Sequence, residues 1–338
     1  MSQLARSLEP ENLALRLLTE RFSERAADDA VPISLWSESL LEPLSDFLAR
    51  PGKQFRARMV ELAWELSGRR GSLPPELPLL VEVIHAGSLI VDDIEDDSTY
   101  RRGARTLHLD YGVPRALNAG NWLYFWPADL LAALELPPAS ELALHRVIGR
   151  TLLSCHEGQA LDLCTRVTEL QQHDVPKVVL TTTRLKTGKL FEVAAAVGAI
   201  AAGAPSSTLR AVSEFGMALG VGLQMLDDLG GIVSEKRCHK GHEDLLQSRP
   251  TWPWAWAAER SDAHTYARLC TLGRQTASRE RHPEEAASEL RKQIEAEGRA
   301  RVNGHLRTAF AELSQKVGRS RALDEALHEI EALEKSYG

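Results

Sequence analysis

The sequence predicts an all-α protein, on three observations. Apolar residues recur at spacings of three and four, convincing alternating runs of Val, Ile and Thr are absent, and Gly or Pro punctuates the chain at intervals that suit helices. Leu, Ala, Glu and Arg dominate, and all four are good helix formers.

Taken in order, residues 1 to 30 read as peripheral. Pro51-Gly52 is a first break, and Gly71 to Pro78 is a second. After it comes an apolar helix, Leu79-Leu80-Val81-Glu82-Val83-Ile84-His85-Ala86-Gly87-Ser88-Leu89-Ile90-Val91. Gly103, Gly112 to Pro114, Pro137-Pro138, Pro176 and Gly203 to Pro205 mark the boundaries that follow, and Gly230-Gly231, Pro250 to Pro253 and Pro283 mark the last ones. This punctuation implies roughly a dozen helices, most of them of ordinary length. No internal repeat or low-complexity linker is visible.

At 338 residues with 43% hydrophobic side chains, the chain can bury a large core, and nothing in its composition suggests a split; a single domain over 1–338 is expected. The net charge of -7 comes from interspersed acids and bases, which excludes a nucleic-acid surface and requires any bound anion to find local basic groups. Cys155, Cys164, Cys238 and Cys270 show no CxxC spacing and no signal peptide precedes them, so they read as free thiols of a cytoplasmic protein. Apolar stretches such as Val193 to Ala204 are too short to span a bilayer.

Five of the six residues from 92 to 97 are acidic, and they interrupt the apolar helix rather than line a solvated face. Asp92 and Asp96 stand one helical turn apart, where like charges repel by about 0.2–0.5 kcal/mol, so a cation should compensate. Hard carboxylate oxygens suit Mg²⁺, which binds through a few carboxylates together with substrate phosphates. Arg101 and Arg102 then offer forked donors to phosphate oxygens. An acidic helix end neutralised by its own arginines is the competing reading of this cluster alone.

A weaker acidic pair, Asp227-Asp228, ends the apolar run beginning at Gly220, and Lys236, Lys240, Asp244 and Arg249 follow it. Other basic groups lie near breaks: Lys53, Arg56 and Arg58 after Pro51-Gly52, and Lys186-Thr187-Gly188-Lys189 in mid-chain. Singly, each reads as surface charge. His85 sits two turns before Asp92, on nearly the same helical face. Trp252, Trp254 and Trp256 read as core at a helix start.

Together these segments resemble the trans-isoprenyl diphosphate synthase (polyprenyl synthetase) family over roughly residues 45 to 260. Gly52-Lys53-Gln54-Phe55-Arg56 resembles its GKRxR, His85 through Asp96 its HxxSLIxDDxxD, and Arg101-Arg102-Gly103 its RRG. Glu157 to Asp162 resembles EGQxxD, Lys186-Thr187 the KT motif, and Gln224 with Asp227-Asp228 the second aspartate-rich motif; Lys240, Asp244, Arg249, Thr251 and Pro253 continue its tail.

The resemblance implies a helical bundle, the isoprenoid synthase fold, whose two aspartate-rich motifs face one another across a central cavity. It implies three Mg²⁺ ions on Asp92, Asp96 and Asp227, with Asp93 and Asp228 in support. Lys186, Lys240 and Arg101 would hold an allylic diphosphate. Lys53, Arg56, His85 and Arg102 would hold isopentenyl diphosphate. Thr187, Gln159 and the Lys186 carbonyl would supply dipoles near the allylic cation, Gln224 would belong to the catalytic set with Asp227 and Lys240, and a homodimer is common in the family.

Gln54, Gly231, Arg249 and Asn121 depart from the commonest pattern, Gly231 by lacking a third acid. By the resemblance, product length follows from what lies beneath Asp92. Gly87 and Ser88 offer no bulky floor, and Tyr124-Phe125 resembles the aromatic pair that closes the pocket in geranylgeranyl diphosphate synthases, so a C20 product is expected. A class I terpene cyclase would need no second diphosphate site, against which Lys53, Arg56 and Arg102 argue. A non-catalytic subunit of a heteromeric synthase is the third reading, and the intact acidic cluster argues against it.

Overall fold

A computed structural model describes residues 10–69, 71–234, 237–294, 297–318 and 320–337. The chain divides into two compact units, Met1–Ile148 with Ala196–Ala204, and Gly149–Ala195 with Pro205–Gly338. In chain order the helices are α1 (Pro10–Asp28), α2 (Ile33–Trp36), α3 (Glu42–Leu48), α4 (Phe55–Leu66), α5 (Glu76–Glu95), α6 (Leu107–Tyr111), α7 (Val113–Ala132), α8 (Pro138–Cys164) and α9 (Val175–Thr183). They continue as α10 (Lys189–Ala201), α11 (Ser206–Val233), α12 (Cys238–Leu246), α13 (Trp252–Arg260), α14 (Ala263–Ala277), α15 (Pro283–Ile294), α16 (Gly298–Val317) and α17 (Arg321–Tyr337). The all-α expectation holds; the only strands among the described residues are the two-residue β1 (Tyr100–Arg101) and β2 (Ala104–Arg105).

In the first unit α5 is central, because its apolar residues run round the helix: Leu77, Leu79, Leu80, Val81, Val83, Ile84 and Ile90 are all buried. It packs on α4 and, most extensively, on α7. Glycines set that second contact. A Cβ at Gly87 would stand 2.7 Å from the Gly120 carbonyl oxygen, and one at Gly120 would stand 3.0 Å from a Val91 methyl. Residues 14 to 22 are not peripheral, contrary to the sequence reading: Ala14, Leu18 and Phe22 recur every fourth position on α1 and are buried, Phe22 lying 5.9 Å from Trp36 and 6.0 Å from Trp122.

In the second unit α11 is central and packs on α12, α13, α16 and a π-helical turn at Arg184–Gly188. Trp252, Trp254 and Trp256 are buried as expected for core residues. Seventeen helices stand among the described residues where roughly a dozen were expected; α2, α3 and α6 are short pieces of four, seven and five residues.

Candidate active site

In the first unit the acidic cluster occupies the last turn of α5, where the helix dipole is already negative and no acid is favoured. Asp92 is partly exposed, Asp93 is buried, and Asp96 is the C-cap residue. Arg101 crosses back from β1, with Nε donating to Asp93 Oδ1 at 2.6 Å and Nη2 standing 3.5 Å from Asp92 Oδ2. The other Asp93 oxygen is buried without a hydrogen-bond partner. Burial pushes Asp93 up to about 6 although Arg101 opposes the shift.

Arg102 and Gly103 form the two-residue turn of the β hairpin, with φ of 52° and 80°, as a type I′ turn requires. This turn swings the Arg102 guanidinium over the buried ring of Phe47 at 5.4 Å, where Arg50 also stacks at 5.3 Å. Gly52 admits the same guanidinium, since its Cβ position is 3.4 Å from Arg102 Nη2. Gln54, itself left-handed at φ 51°, precedes α4, and Lys53 rests 5.9 Å from the Phe55 ring. A small cleft is lined by Gly52, Gln54, Glu82, Ala86 and Arg102, among others. His85 stays neutral: burial, then the charges of Arg56, Arg102 and Arg101, push its pKa well below the usual range.

Glu82, which read only as one polar position in an apolar run, holds the basic segment in place. Gln54 gives α4 no side-chain cap, and the Ala57 N–H instead donates to Glu82 Oε1 at 3.1 Å. Glu82→Ala is expected to lower stability by about 0.5–2 kcal/mol, as loss of an N-cap does. An unchanged urea midpoint would contradict the capping role.

In the second unit the π-helical turn presents Lys186 and Thr187. Lys186 Nζ pairs with Asp162 Oδ2 at 2.5 Å, and the buried Arg249 donates to the Asp162 carbonyl at 2.5 Å. Gly158 lets α8 approach closely, because its Cβ position is 3.0 Å from the Lys186 nitrogen; Gln159 is the next residue on that helix. Thr187 Oγ1 donates to Gln224 Oε1 (2.8 Å), Gln224 Nε2 donates to Asp228 Oδ1 (2.7 Å), and the Trp252 N–H donates to Asp228 Oδ2 (3.0 Å). Such a chain fixes each member in one orientation. Asp228, expected among the metal acids, therefore has both oxygens engaged in anchoring Gln224 and the start of α13.

Asp227 faces away from that chain and pairs with both Arg237 and Lys240. Burial acts to raise it, but the two cations outweigh burial and hold its pKa below the usual value. Asp244 is pushed up to about 8 by burial against the pull of Lys240, with Asp228, Asp227 and Asp162 adding to the rise. Lys236 lies outside the described residues.

The family model for polyprenyl synthetases matches residues 37–290. The chain belongs to the polyprenyl synthetase family. A geranylgeranyl pyrophosphate synthase from Eremothecium gossypii is 33% identical over 228 residues, 64% of this chain and 68% of its own length. A geranylgeranyl diphosphate synthase from Sulfolobus acidocaldarius is 30% identical over 55% of this chain, which spans only 56% of that relative. The fold matches a decaprenyl diphosphate synthase from Rhodobacter capsulatus with a TM-score of 0.75 at 22% identity, covering 94% of this chain and 99% of that one. Family membership makes this polyprenyl synthetase a prenyltransferase of isoprenoid biosynthesis. Members of the family are generally magnesium-dependent.

The donor set fits that metal. Hard carboxylate oxygens gather at a helix end whose dipole is negative, and one buried Asp93 oxygen has no hydrogen-bond partner. Among the described residues no three His, Cys, Asp or Glu side chains form a group that could hold a metal ion by themselves. Arg50, Glu82, Asp162 and Arg237 were not singled out in the sequence; Asp162 alone had a signal, at the end of the segment resembling EGQxxD.

Gly87 takes a different place from the one its sequence position suggested. Its Cβ direction points at α7, 3.7 Å from Tyr124 Cδ1, rather than into open space. Ser88 is half-buried and its hydroxyl donates to the His85 carbonyl at 2.8 Å. Tyr124 and Phe125 do not act as a pair within the chain, because Phe125 is 76% exposed while Tyr124 lies beside α5. Among the described residues no helix is long and apolar enough to cross a membrane.

Proposed function

We propose that this polyprenyl synthetase joins isopentenyl diphosphate head to tail to an allylic diphosphate and releases a C20 product, geranylgeranyl diphosphate. The observation that carries this reading is the basic group of the first unit: Arg56 and Arg102, whose charges act on a neutral His85, and Lys53, next to the Gly52 that admits the Arg102 guanidinium. An enzyme that only ionised one prenyl diphosphate would have no use for it. In this reading the whole chain serves as one cytoplasmic catalytic domain.

In the first unit Asp92 and Asp96 would hold Mg²⁺ with Asp93 in support, and in the second Asp227 would do so with Asp228 in support, three ions in all; the bound metal would neutralise charge developing on the departing diphosphate. Lys53, Arg56 and Arg102 bind isopentenyl diphosphate, and neutral His85 donates or accepts one hydrogen bond without adding charge. Arg101 of the first unit, and Lys186 and Lys240 of the second, are the cations proposed for the allylic diphosphate. Thr187, fixed by Gln224, and the carbonyl of Lys186 orient dipoles toward the allylic carbon. Holding both substrates at reacting distance removes at best about 7–11 kcal/mol of barrier. The proton lost at the end goes to the departing diphosphate.

The test is incubation of purified protein with Mg²⁺, isopentenyl diphosphate and each of the C5, C10 and C15 allylic diphosphates, with product identification. Elongation supports the reading; a cyclised product, or turnover only with a second protein, rejects it. Product length is set by Ser88 and Tyr124 in this proposal. Ser88→Phe is expected to shorten the product by at least one C5 unit and Tyr124→Ala to lengthen it, and identical product profiles would reject both assignments.

A homodimer forms through α7 in this reading. Val113, Leu117 and Phe125 are exposed along one side of that helix, and a stripe of this kind is costly to leave in water. Phe125→Glu is expected to halve the mass seen by light scattering; an unchanged mass would remove α7 from the interface.

A further inference from the structure

Gly230 and Gly231, where the second acidic motif lacks its usual third acid, shape a contact that the reading above does not use. A Cβ at Gly231 would stand 3.1 Å from the Gly241 Cα and 3.2 Å from its nitrogen, and a Cβ at Gly241 would overlap the Gly231 carbonyl. The first turn of α12 therefore rests backbone to backbone on the last turn of α11, and an aspartate at 231 would displace it. Gly230 leaves the space that the Arg237 guanidinium fills, its Cβ position being 2.8 Å from Nη1.

The packing that excludes the third acid thus delivers a cation. Arg237 bonds one oxygen of Asp227 and Lys240 bonds the other, so a single negative charge is shared by two positive ones. Asp227 is mostly buried, with 16% of its side chain exposed, whereas Lys240 is half exposed. One acid fewer and one guanidinium more shift the preference of this corner toward an anion, and a guanidinium fork matches phosphate oxygens as well as it matches carboxylate.

We propose that Arg237 is a diphosphate-binding residue, stored on Asp227 until an anion arrives. Arg237 and Lys240 then turn to the phosphate oxygens and the Asp227 carboxylate is released. The ligand class rests on the prenyltransferase reading above; the exchange itself rests on the α11–α12 contact.

Calorimetric titration of the full chain with inorganic diphosphate tests it, in excess EDTA and again in Mg²⁺, for wild type, Arg237→Ala, Arg237→Lys and Asp227→Asn. In EDTA, Asp227→Asn removes the competing carboxylate and is expected to tighten diphosphate binding about fivefold or more. Arg237→Ala is expected to weaken binding about tenfold in both buffers, with Arg237→Lys between it and wild type. If Arg237 only ties α12 to α11, Arg237→Ala lowers the melting temperature and Asp227→Asn binds no more tightly than wild type. That result overturns the proposal, as does wild-type affinity in Arg237→Ala. Absence of chain elongation by the wild type, with these shifts present, would reject the proposed reaction and leave the Arg237 exchange standing.

Discussion

Asp92→Ala is expected to cut chain elongation by about two to three orders of magnitude, the scale on which removal of one charge-stabilising group acts. Its fold should hardly notice. Asp92 is partly exposed, its approach to Arg101 is a long 3.5 Å, and one repulsive pair with Asp96 is relieved. Asp93 gives the contrasting result. Burial raises its pKa from 3.8 to about 6, so the folded chain carries its charge at a cost wherever the acid is ionised. The sign follows from linkage: through this group the wild type gains stability as pH falls from above 6 toward 4, the native state binding the proton first. Asp93→Asn lacks that gain. In EDTA the variant should be more stable than wild type at pH 8, by up to about 3 kcal/mol, with the advantage vanishing near pH 4. Activity should still fall, because Arg101 loses the carboxylate that aims it. Urea midpoints at the two pH values, read beside elongation rates, check both variants. An Asp92→Ala enzyme retaining a tenth of wild-type rate would remove Asp92 from the metal site.

A buried carboxylate with one oxygen lacking a hydrogen-bond partner is what a site built for a cation should show. The legible parts of the site are those that local spacing sets. Asp92, Asp96 and Arg101 lie within ten residues of one another, and helical spacing alone sets two carboxylates on one side and asks for a cation. His85 follows from the same periodicity. Arg102 was legible as a charge but not as a geometry, since only the left-handed turn at 102 and 103 sends it over Phe47.

Residues whose roles depend on contacts between distant helices left no trace in the spacing. Glu82 caps α4 from 25 positions away in the chain, and Arg237 reaches Asp227 only because two glycines let α12 settle on α11. The partners of Asp228 were illegible for the same reason: next to Asp227 in sequence, it turns to Gln224 and the start of α13. A carboxylate's neighbour in the chain is not its neighbour in the site.

Gly198→Ala is expected to be the most damaging of the small substitutions. A Cβ there would overlap the Val60 carbonyl oxygen and stand 3.0 Å from the Trp64 nitrogen, both backbone atoms of α4 that no rotamer change can move. Overpacking of this kind costs about 1–3 kcal/mol, and here the adjustment falls on the helix whose first turn carries Arg56. Weaker binding of isopentenyl diphosphate should therefore accompany the loss of stability. Gly87→Ala meets the Gly120 carbonyl at 2.7 Å and should cost a comparable amount. Gly149→Ala is the control, an exposed helical glycine with nothing within 4 Å of its Cβ position, and should gain about 0.5–1 kcal/mol from helix propensity. Urea denaturation orders the three. If Gly87→Ala were neutral, α5 and α7 would have room between them, and position 87 could line the product channel after all; if it is destabilised as expected, bulk introduced there acts by prising helices apart, and the control of product length on α5 passes to Ser88.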